Sequence, residues 1–205
     1  MTNPTLSVAV FDLGGVLIDW DPRHLYRKLF REDEAAMEEF LSRVCTPEWN
    51  RKQDAGRSFA EGCAILAAEF PDKADLIYAW YRRFDETLRG PVKESINILA
   101  NLLERNIALY SITNWNRETF AASRKRFPFL DWFSGIVVSG EEKVAKPDPR
   151  IYRILMDRYS LDPAGAVFVD DSPENVEAAE KLGFTGIVFS SPEDLRRRLK
   201  SLNLL

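Results

Sequence analysis

The chain is poor in the residues that build disulfide frameworks and zinc sites: its 205 residues include two cysteines and a single histidine. Cys45 and Cys63 do not follow a metal-ligand spacing. A disulfide between them is possible, but we expect two reduced, buried thiols. The composition therefore gives no indication of a metal centre based on cysteine and histidine.

Long apolar runs and an excess of basic charge are also missing. No stretch approaches the ~20 apolar residues of a membrane-spanning helix, and the first residues show no signal-peptide pattern. The net charge of −4 shows no excess of basic residues that would indicate nucleic-acid binding. We therefore expect a cytoplasmic protein, a monomer or homodimer, that binds neither membrane nor nucleic acid.

What the sequence does have is a series of short, almost continuously apolar runs, typical of strands that are covered on both faces. Helical periodicity lies between the later runs, and this alternation predicts a parallel sheet with helices on both sides. The predicted strands are 7–13, 107–113, 135–139, 166–169 and 186–189. The predicted helices among them are 92–106, 117–127, 149–159, 173–182 and 192–202.

The interval between about residues 20 and 90 differs, because it contains helical patterns but no run that is typical of a strand. These patterns cover 33–44, 57–70 and 73–88. We therefore predict an α/β fold with a Rossmann-like, three-layer core and an inserted helical cap domain. The core is expected to comprise residues 1–19 and 91–205, and the cap residues 20–90.

Polar side chains stand at four successive strand ends, where ligands collect in an open parallel sheet. Asp12 ends the first predicted strand. The others are Thr113 and Asn114 after the second strand, Lys146 after the third, and Asp170, Asp171 and Asn175 after the fourth. Helix capping explains any one of them, for example Asp171 or Ser172 before the helix at Pro173. It does not explain all four ends together.

Three carboxylates in one crevice need a cation, because Asp12, Asp170 and Asp171 would otherwise repel one another. Hard oxygen ligands without cysteine or histidine favour Mg²⁺ over zinc. Lys146 adds a fixed positive charge, and the Thr–Asn pair can donate hydrogen bonds to an anion. Together these groups form a site for a dianion, most naturally a phosphoryl group.

The four motifs, in this order, resemble those of the haloacid dehalogenase superfamily, most of whose members are Mg²⁺-dependent phosphatases. The resemblance covers the whole chain, and it implies that Asp12 attacks phosphorus to form an aspartyl-phosphate. The implied catalytic residues are Asp12, Lys146 and Thr113, and the implied substrate-binding residues are Thr113, Asn114 and Lys146. The implied Mg²⁺ ligands are Asp12, the backbone carbonyl of Gly14, Asp171 and Asp170.

One position departs from the family's usual D-x-D-G pattern, because 12-DLGG-15 has Gly14 where a second aspartate normally acts as general acid. General acid–base assistance contributes about 10²–10⁴-fold. We therefore expect rates to rise steeply with better leaving groups, unless another group such as His24 or a substrate hydroxyl supplies the proton. Some sugar-1-phosphate phosphatases of the family have a similar D-L-G motif, which favours a small phosphorylated metabolite such as a sugar phosphate as substrate.

Two alternatives remain open. The 2-haloacid dehalogenases of the superfamily also lack the second aspartate, but they use no metal and their fourth motif is of a Ser–Asn type. The Asp170–Asp171 pair therefore favours the phosphatase. The second alternative is a catalytically weak member of the fold that only binds its ligand, in which Gly14 serves only the backbone bend. The intact Asp12 and Lys146 argue against it.

Overall fold

The computed structural model describes residues 6–205. The first five residues lie outside it, and with them part of the predicted 1–19 core segment and of the region in which no signal peptide is expected. The described residues form seven strands. They are β1 (Val8–Phe11), β2 (Ile18–Trp20), β3 (Leu88–Pro91), β4 (Ala108–Thr113), β5 (Gly135–Val138), β6 (Ala166–Asp170) and β7 (Thr185–Val188).

The five strands that the sequence predicts form one parallel sheet, in the order β5-β4-β1-β6-β7. β1 is the central strand, with Val8 aligned with Ala108 on one side and with Ala166 on the other. After β1 the chain adds β4 and β5 on one side of the sheet and then β6 and β7 on the other side. The crevice at the carboxyl end of β1 is therefore the expected ligand site of such a sheet.

The same residues contain eleven α-helices; eight of them lie in the predicted helical segments, and the first, third and eighth in chain order were not predicted. Within the inserted segment they are α1 (Arg23–Leu29), α2 (Glu34–Arg43), α3 (Pro47–Asp54), α4 (Phe59–Glu69) and α5 (Ala74–Arg82). The others are α6 (Lys93–Glu104), α7 (Arg117–Ser123), α8 (Ser139–Glu142), α9 (Pro149–Tyr159), α10 (Pro173–Glu180) and α11 (Pro192–Ser201).

The helix predicted over 117–127 is too long, because α7 ends at Ser123 and continues as a 3₁₀ turn. Phe127 precedes a proline and adopts φ −123° and ψ 76°, which is outside the helical region. The helix predicted over 73–88 is likewise divided into α5 and a 3₁₀ turn at Phe84–Thr87.

Helices cover both faces of the sheet, as the near-continuous apolar strands predict. Alternate residues of β1 point to opposite sides. Ala9 and Phe11 belong to the apolar cluster that includes Leu102 of α6 and Leu199 of α11. Val10 belongs to a second cluster, with residues of α9 and α10. The three-layer α/β architecture of the prediction is confirmed.

The prediction that the interval 20–90 contains no strand is wrong at its two edges. β2 and β3 pair antiparallel, with Ile18 aligned with Pro91, so the chain leaves and re-enters the sheet domain at adjacent points. Strands of three and four residues are too short to give a recognisable apolar pattern. Helices α1–α5 lie between them, while the division into a core of 1–19 and 91–205 and a cap of 20–90 stays a prediction.

Aromatic side chains fill the interior of the inserted segment. The ring centroids of Trp49 and Trp80 are 5.5 Å apart, and those of Tyr26 and Trp80 are 5.9 Å apart. Cys45 and Cys63 are free and buried beside them, as predicted. Within residues 6–205, no helix combines the length and the apolar character needed to cross a bilayer.

Candidate active site

A cavity of about 330 Å³ lies at the carboxyl end of β1. One side is formed by residues at the ends of the parallel strands, among them Asp12, Asn114 and Asp171. The other side is formed by the inserted segment, which contributes Asn50 and Asp54 among others. The volume is in the range of sites that bind small molecules.

Lys146 is the electrostatic centre of the site. Its side chain is fully buried, and its ammonium group lies 2.9 Å from Asp12 Oδ1 and 2.6 Å from Asp170 Oδ2. It also donates a hydrogen bond of 2.7 Å to the carbonyl of Ile112. All three N–H donors of the ammonium thus have an acceptor. These three contacts hold the buried ammonium group of Lys146 in a single position.

Both oxygens of Asp170 are occupied by hydrogen bonds from the protein. Oδ2 faces Lys146, and Oδ1 accepts hydrogen bonds of 2.9 Å from the backbone N–H of Ser172 and from Asn175 Nδ2. The carboxylate is fully buried. Ser172 is the N-cap of α10 but makes no capping hydrogen bond with its side chain. The polar residues after β6 therefore serve the site rather than the helix end.

Burial and charge repulsion raise the pKa values of two carboxylates in this cluster, Asp12 and Asp171. Burial is the main cause that raises the pKa of Asp12 to about 7; Lys146 opposes the rise, and Asp170 and Asp171 contribute to it. Burial and the charge of Asp170 also raise the pKa of Asp171. For Lys146, burial acts to lower the pKa, but Asp12 and Asp170 outweigh it and the pKa is raised. The charge of Lys146 therefore does not fully compensate the negative charge of the three carboxylates.

The donor set fits a magnesium ion. Oxygen atoms of Asp12, Asp170 and Asp171 all lie within 4.8 Å of one another, and Gly14 borders the same cavity. Carboxylate and carbonyl oxygens are hard ligands of the kind that Mg²⁺ prefers. A divalent cation would also relieve the repulsion that raises the carboxylate pKa values.

We expect Mg²⁺ affinity to fall as the pH falls through about 7. Because the pKa of Asp12 is raised to about 7, this carboxyl carries a proton below that pH, and the proton competes with the metal. Titration calorimetry without substrate should show about tenfold weaker binding per pH unit below 7, and constant affinity above it. Asp12→Asn should weaken this dependence, because only the protonation of Asp171 then competes with the metal. Equal affinity of the unmodified protein at pH 8 and pH 6 would contradict the prediction.

The two glycines after Asp12 have different roles. Gly15 has φ +75°, and a Cβ there would lie 2.4 Å from Asp171 Oδ2, so a side chain is excluded. Gly14 has no such φ, and a Cβ there would lie 4.0 Å from its nearest neighbour, Trp20 Cβ. The hypothesis that Gly14 serves only the backbone bend is therefore wrong: the left-handed conformation is at Gly15, and position 14 has room for a side chain.

The residues after β4 have a role that the sequence did not reveal. Asn114 Nδ2 donates to the carbonyl of Lys146 at 2.9 Å, and Asn114 Oδ1 accepts from the Lys146 backbone N–H at 2.8 Å. This reciprocal pair fixes the loop that presents the lysine. Thr113, at the end of β4, is buried. Contacts of Thr113 and Asn114 with a phosphoryl group stay a prediction.

Asn116 joins the inserted segment to the sheet, and sequence reasoning missed it. Its Nδ2 group donates to the carbonyls of Gln53 at 3.0 Å and Arg57 at 3.2 Å. Its Oδ1 atom caps α7 through the N–H of Glu118. An asparagine directly before a predicted helix is the signal of a cap, but nothing local indicates the second pair of contacts.

His24, the proton donor considered from the sequence, does not line the cavity, whereas Asp54, which the sequence analysis did not single out, does. His24 Nε2 lies 2.8 Å from Asp19 Oδ1, and the residue is not among those that line the cavity. Asp54 does line it, at the last position of α3. An acidic residue at a helix C-terminus is disfavoured by the helix dipole, which is the one local signal that could have singled it out.

The comparisons with known proteins agree with this geometry. A haloacid dehalogenase-like hydrolase family model matches residues 6–183. Sesquiterpene phosphatase astK of Aspergillus oryzae is 27% identical over 89% of this chain and 89% of its own length. The phosphorylated carbohydrates phosphatase of Thermotoga maritima is 27% identical over 89% of this chain and 84% of its own.

Among solved structures, the HAD family enzyme BT-2542 of Bacteroides thetaiotaomicron, in complex with magnesium and inorganic phosphate, superimposes with a TM-score of 0.68. It is 22% identical, and the match covers 90% of this chain and 94% of that one. At this identity the likeness establishes the fold. With a family model that spans most of its length, the chain belongs to the haloacid dehalogenase-like hydrolases.

Proposed function

We propose that the protein is a Mg²⁺-dependent phosphatase that hydrolyses a small phosphorylated metabolite through an aspartyl-phosphate on Asp12. The observation that carries the proposal is the ion cluster at the end of β1, in which Lys146 lies 2.9 Å from Asp12 and the Asp170–Asp171 pair completes a cation site. A nucleophilic carboxylate beside a lysine and a cation site is suited to an incoming phosphoryl dianion.

Each residue of the cluster has a separate task in the proposed reaction. One oxygen of Asp12 attacks phosphorus, while the other is held by the Leu13 N–H at 2.8 Å and by Lys146. Asp170 orients Lys146 and, with both oxygens occupied, is expected to contribute less to the metal than Asp171. Asp12, Asp171 and the Gly14 carbonyl would hold Mg²⁺, which supplies positive charge to the phosphoryl oxygens.

The cavity supports a substrate of moderate size with both apolar and polar surface. Trp20, Phe84 and Trp115 line it together with Asn50 and Arg23. Aromatic faces beside hydrogen-bonding groups suit a sugar phosphate, and a phosphorylated carbohydrates phosphatase is among the relatives. A screen of phosphorylated metabolites with and without Mg²⁺ tests the function, and failure to release phosphate from any of them would count against it.

The dehalogenase alternative leads to an opposite expectation. We expect no chloride release from 2-chloropropionate, with or without Mg²⁺, because the Asp170–Asp171 pair beside Asp12 repels the substrate carboxylate when no metal is bound. Chloride is measured by ion chromatography. Metal-independent release at about 1 s⁻¹ or faster, a rate typical of enzymes, would falsify the phosphatase proposal.

The same screen distinguishes the proposed phosphatase from the second alternative, a member of the fold that binds its ligand without turnover. Both an active and an inactive protein should melt at higher temperature with Mg²⁺ and trifluoroberyllate, since this anion mimics the phosphoryl group on Asp12. Only the active protein releases phosphate. A shift in melting temperature without turnover in the whole panel would favour the binding role.

A further inference from the structure

The cavity contains one carboxyl group that the proposed reaction leaves unused. Four aspartates line it: Asp12, Asp21, Asp54 and Asp171. Asp12 and Asp171 belong to the cation cluster, and Asp21 pairs with the Arg23 guanidinium at 3.3 Å. Asp54 instead has a neutral partner, because Asn50 Nδ2 donates to its Oδ2 at 2.9 Å. Asp54 is thus the lining carboxyl with neither a metal nor an ion-pair role.

The surroundings of Asp54 favour its protonated form. Burial raises the pKa of Asp54 well above its ordinary value, and the negative charge of Asp12 raises it further. A hydrogen bond from the backbone of Asn116 and the charge of Arg51 act in the opposite direction without cancelling the rise. A carboxyl group whose protonated form is favoured by its surroundings is able to act as a general acid.

The position of Asp54 relative to the catalytic sheet is fixed. Asn116, which follows β4, donates to the carbonyls of Gln53 and Arg57, on either side of Asp54 in the chain. The loop that carries the carboxyl is therefore tied to the same strand end that carries Thr113 and Asn114. A proton donor needs this fixed placement to stay within reach of the reacting oxygen.

Two buried polar atoms of residues that line the cavity are left for a ligand. Asn50 Oδ1 and Trp20 Nε1 are buried, belong to residues that line the cavity, and have no hydrogen-bond partner among residues 6–205. Buried polar atoms are normally paired. One acceptor, on the residue that donates a hydrogen bond to Asp54, and one donor suit a leaving group that carries hydroxyl groups.

We propose that Asp54 is the general acid of the reaction, in place of the aspartate that is absent at position 14. The proposal rests on the phosphatase function proposed above. In-line attack by Asp12 from the strand ends directs the leaving group away from the sheet, towards the inserted segment that carries Asp54.

The proposed hydrolysis has two steps. An oxygen of Asp12 bonds to phosphorus, the bond from phosphorus to the leaving oxygen breaks with its electron pair on that oxygen, and Asp54 gives this oxygen its proton. The alcohol then departs. In the second step, the Asp54 carboxylate takes a proton from water as the water oxygen bonds to phosphorus. The bond between phosphorus and the Asp12 oxygen breaks with its electron pair on Asp12, which releases phosphate and restores the Asp12 carboxylate and protonated Asp54.

The test compares two aryl esters of similar size, phenyl phosphate and p-nitrophenyl phosphate, in single-turnover assays with Mg²⁺. Asp54→Asn keeps the shape and the contact with Asn50 but removes the proton. We expect phenol release to slow by about 10²–10⁴-fold, and p-nitrophenol release to change far less, because nitrophenolate departs without protonation. The unmodified protein should then depend only weakly on the leaving group, unlike the steep dependence that Gly14 alone predicts.

Two further variants complete the design. Asp75→Asn makes the same change at an exposed carboxylate of α5 and should leave both rates unchanged. Gly14→Asp, at a position with room for a side chain, should restore phenol release in the Asp54→Asn background. Equal slowing of both esters by Asp54→Asn, an unchanged phenol rate, or no recovery in the double variant would overturn the assignment. If the unmodified protein hydrolyses neither ester, the phosphatase proposal itself fails, and the role of Asp54 with it.

Discussion

Asp12→Asn is expected to reduce phosphate release from every substrate of the unmodified protein by roughly 10⁴–10⁶-fold, to the background of the assay. The asparagine keeps the shape of the side chain and an oxygen within reach of Lys146, 2.9 Å away in the unmodified protein, but it is a very poor nucleophile. Phosphate is measured at saturating Mg²⁺. Asp131→Asn, at an exposed carboxylate next to Trp132, is the matched control and should retain full activity.

Loss of activity in this variant should not reflect unfolding. The pKa of Asp12 is raised in the folded protein to about 7, from an ordinary value of 3.8. Its ionisation therefore destabilises the folded state progressively between these values, and fully above about pH 7. Without Mg²⁺ at pH 8, Asp12→Asn removes this cost, so its melting temperature should equal or exceed that of the unmodified protein. Full activity of the variant would exclude Asp12 as the nucleophile.

Lys146→Met is expected to have the largest effect on stability. Removal of one partner of a buried ion pair typically costs about 3–5 kcal/mol, because the other partner is left buried and uncompensated. Here both Asp12 and Asp170 lose their cation. Urea denaturation at pH 8 without Mg²⁺ measures the loss. Lys181→Met, which removes an exposed ion pair with Glu177 on α10, should change stability little.

The pH dependence of this loss has a definite sign. Lys146 lowers the pKa values of Asp12 and Asp171, so in the variant these two carboxyls take up protons at higher pH than in the unmodified protein. A protonated carboxyl needs no cation, and the destabilisation should therefore shrink as the pH falls from 8 to 5.5. A loss that stays within about 1 kcal/mol at pH 8, or that grows towards low pH, is incompatible with the charge cluster as described.

The sequence by itself determined the sheet and the order of its strand ends. Strands such as β6, whose five residues are all buried, have a continuous apolar composition that follows from cover on both faces. Most of the chemical residues could be located because they stand directly at the end of such a strand, as Asp12 follows β1 and Asp170 ends β6. These signals are local, since they need only a residue and its neighbours in the chain.

Only the tertiary structure decided how those residues act. The ion pair between Lys146 and Asp170 joins residues 24 positions apart, and the hydrogen bond by which Asn114 holds the lysine loop joins residues 32 positions apart. Gly15 is required because Asp171, which follows β6, occupies the space of its side chain. Asp54 reaches the cavity because Asn116 ties its loop to β4. Such contacts are fixed by the packing of distant elements, and no pattern within one segment encodes them.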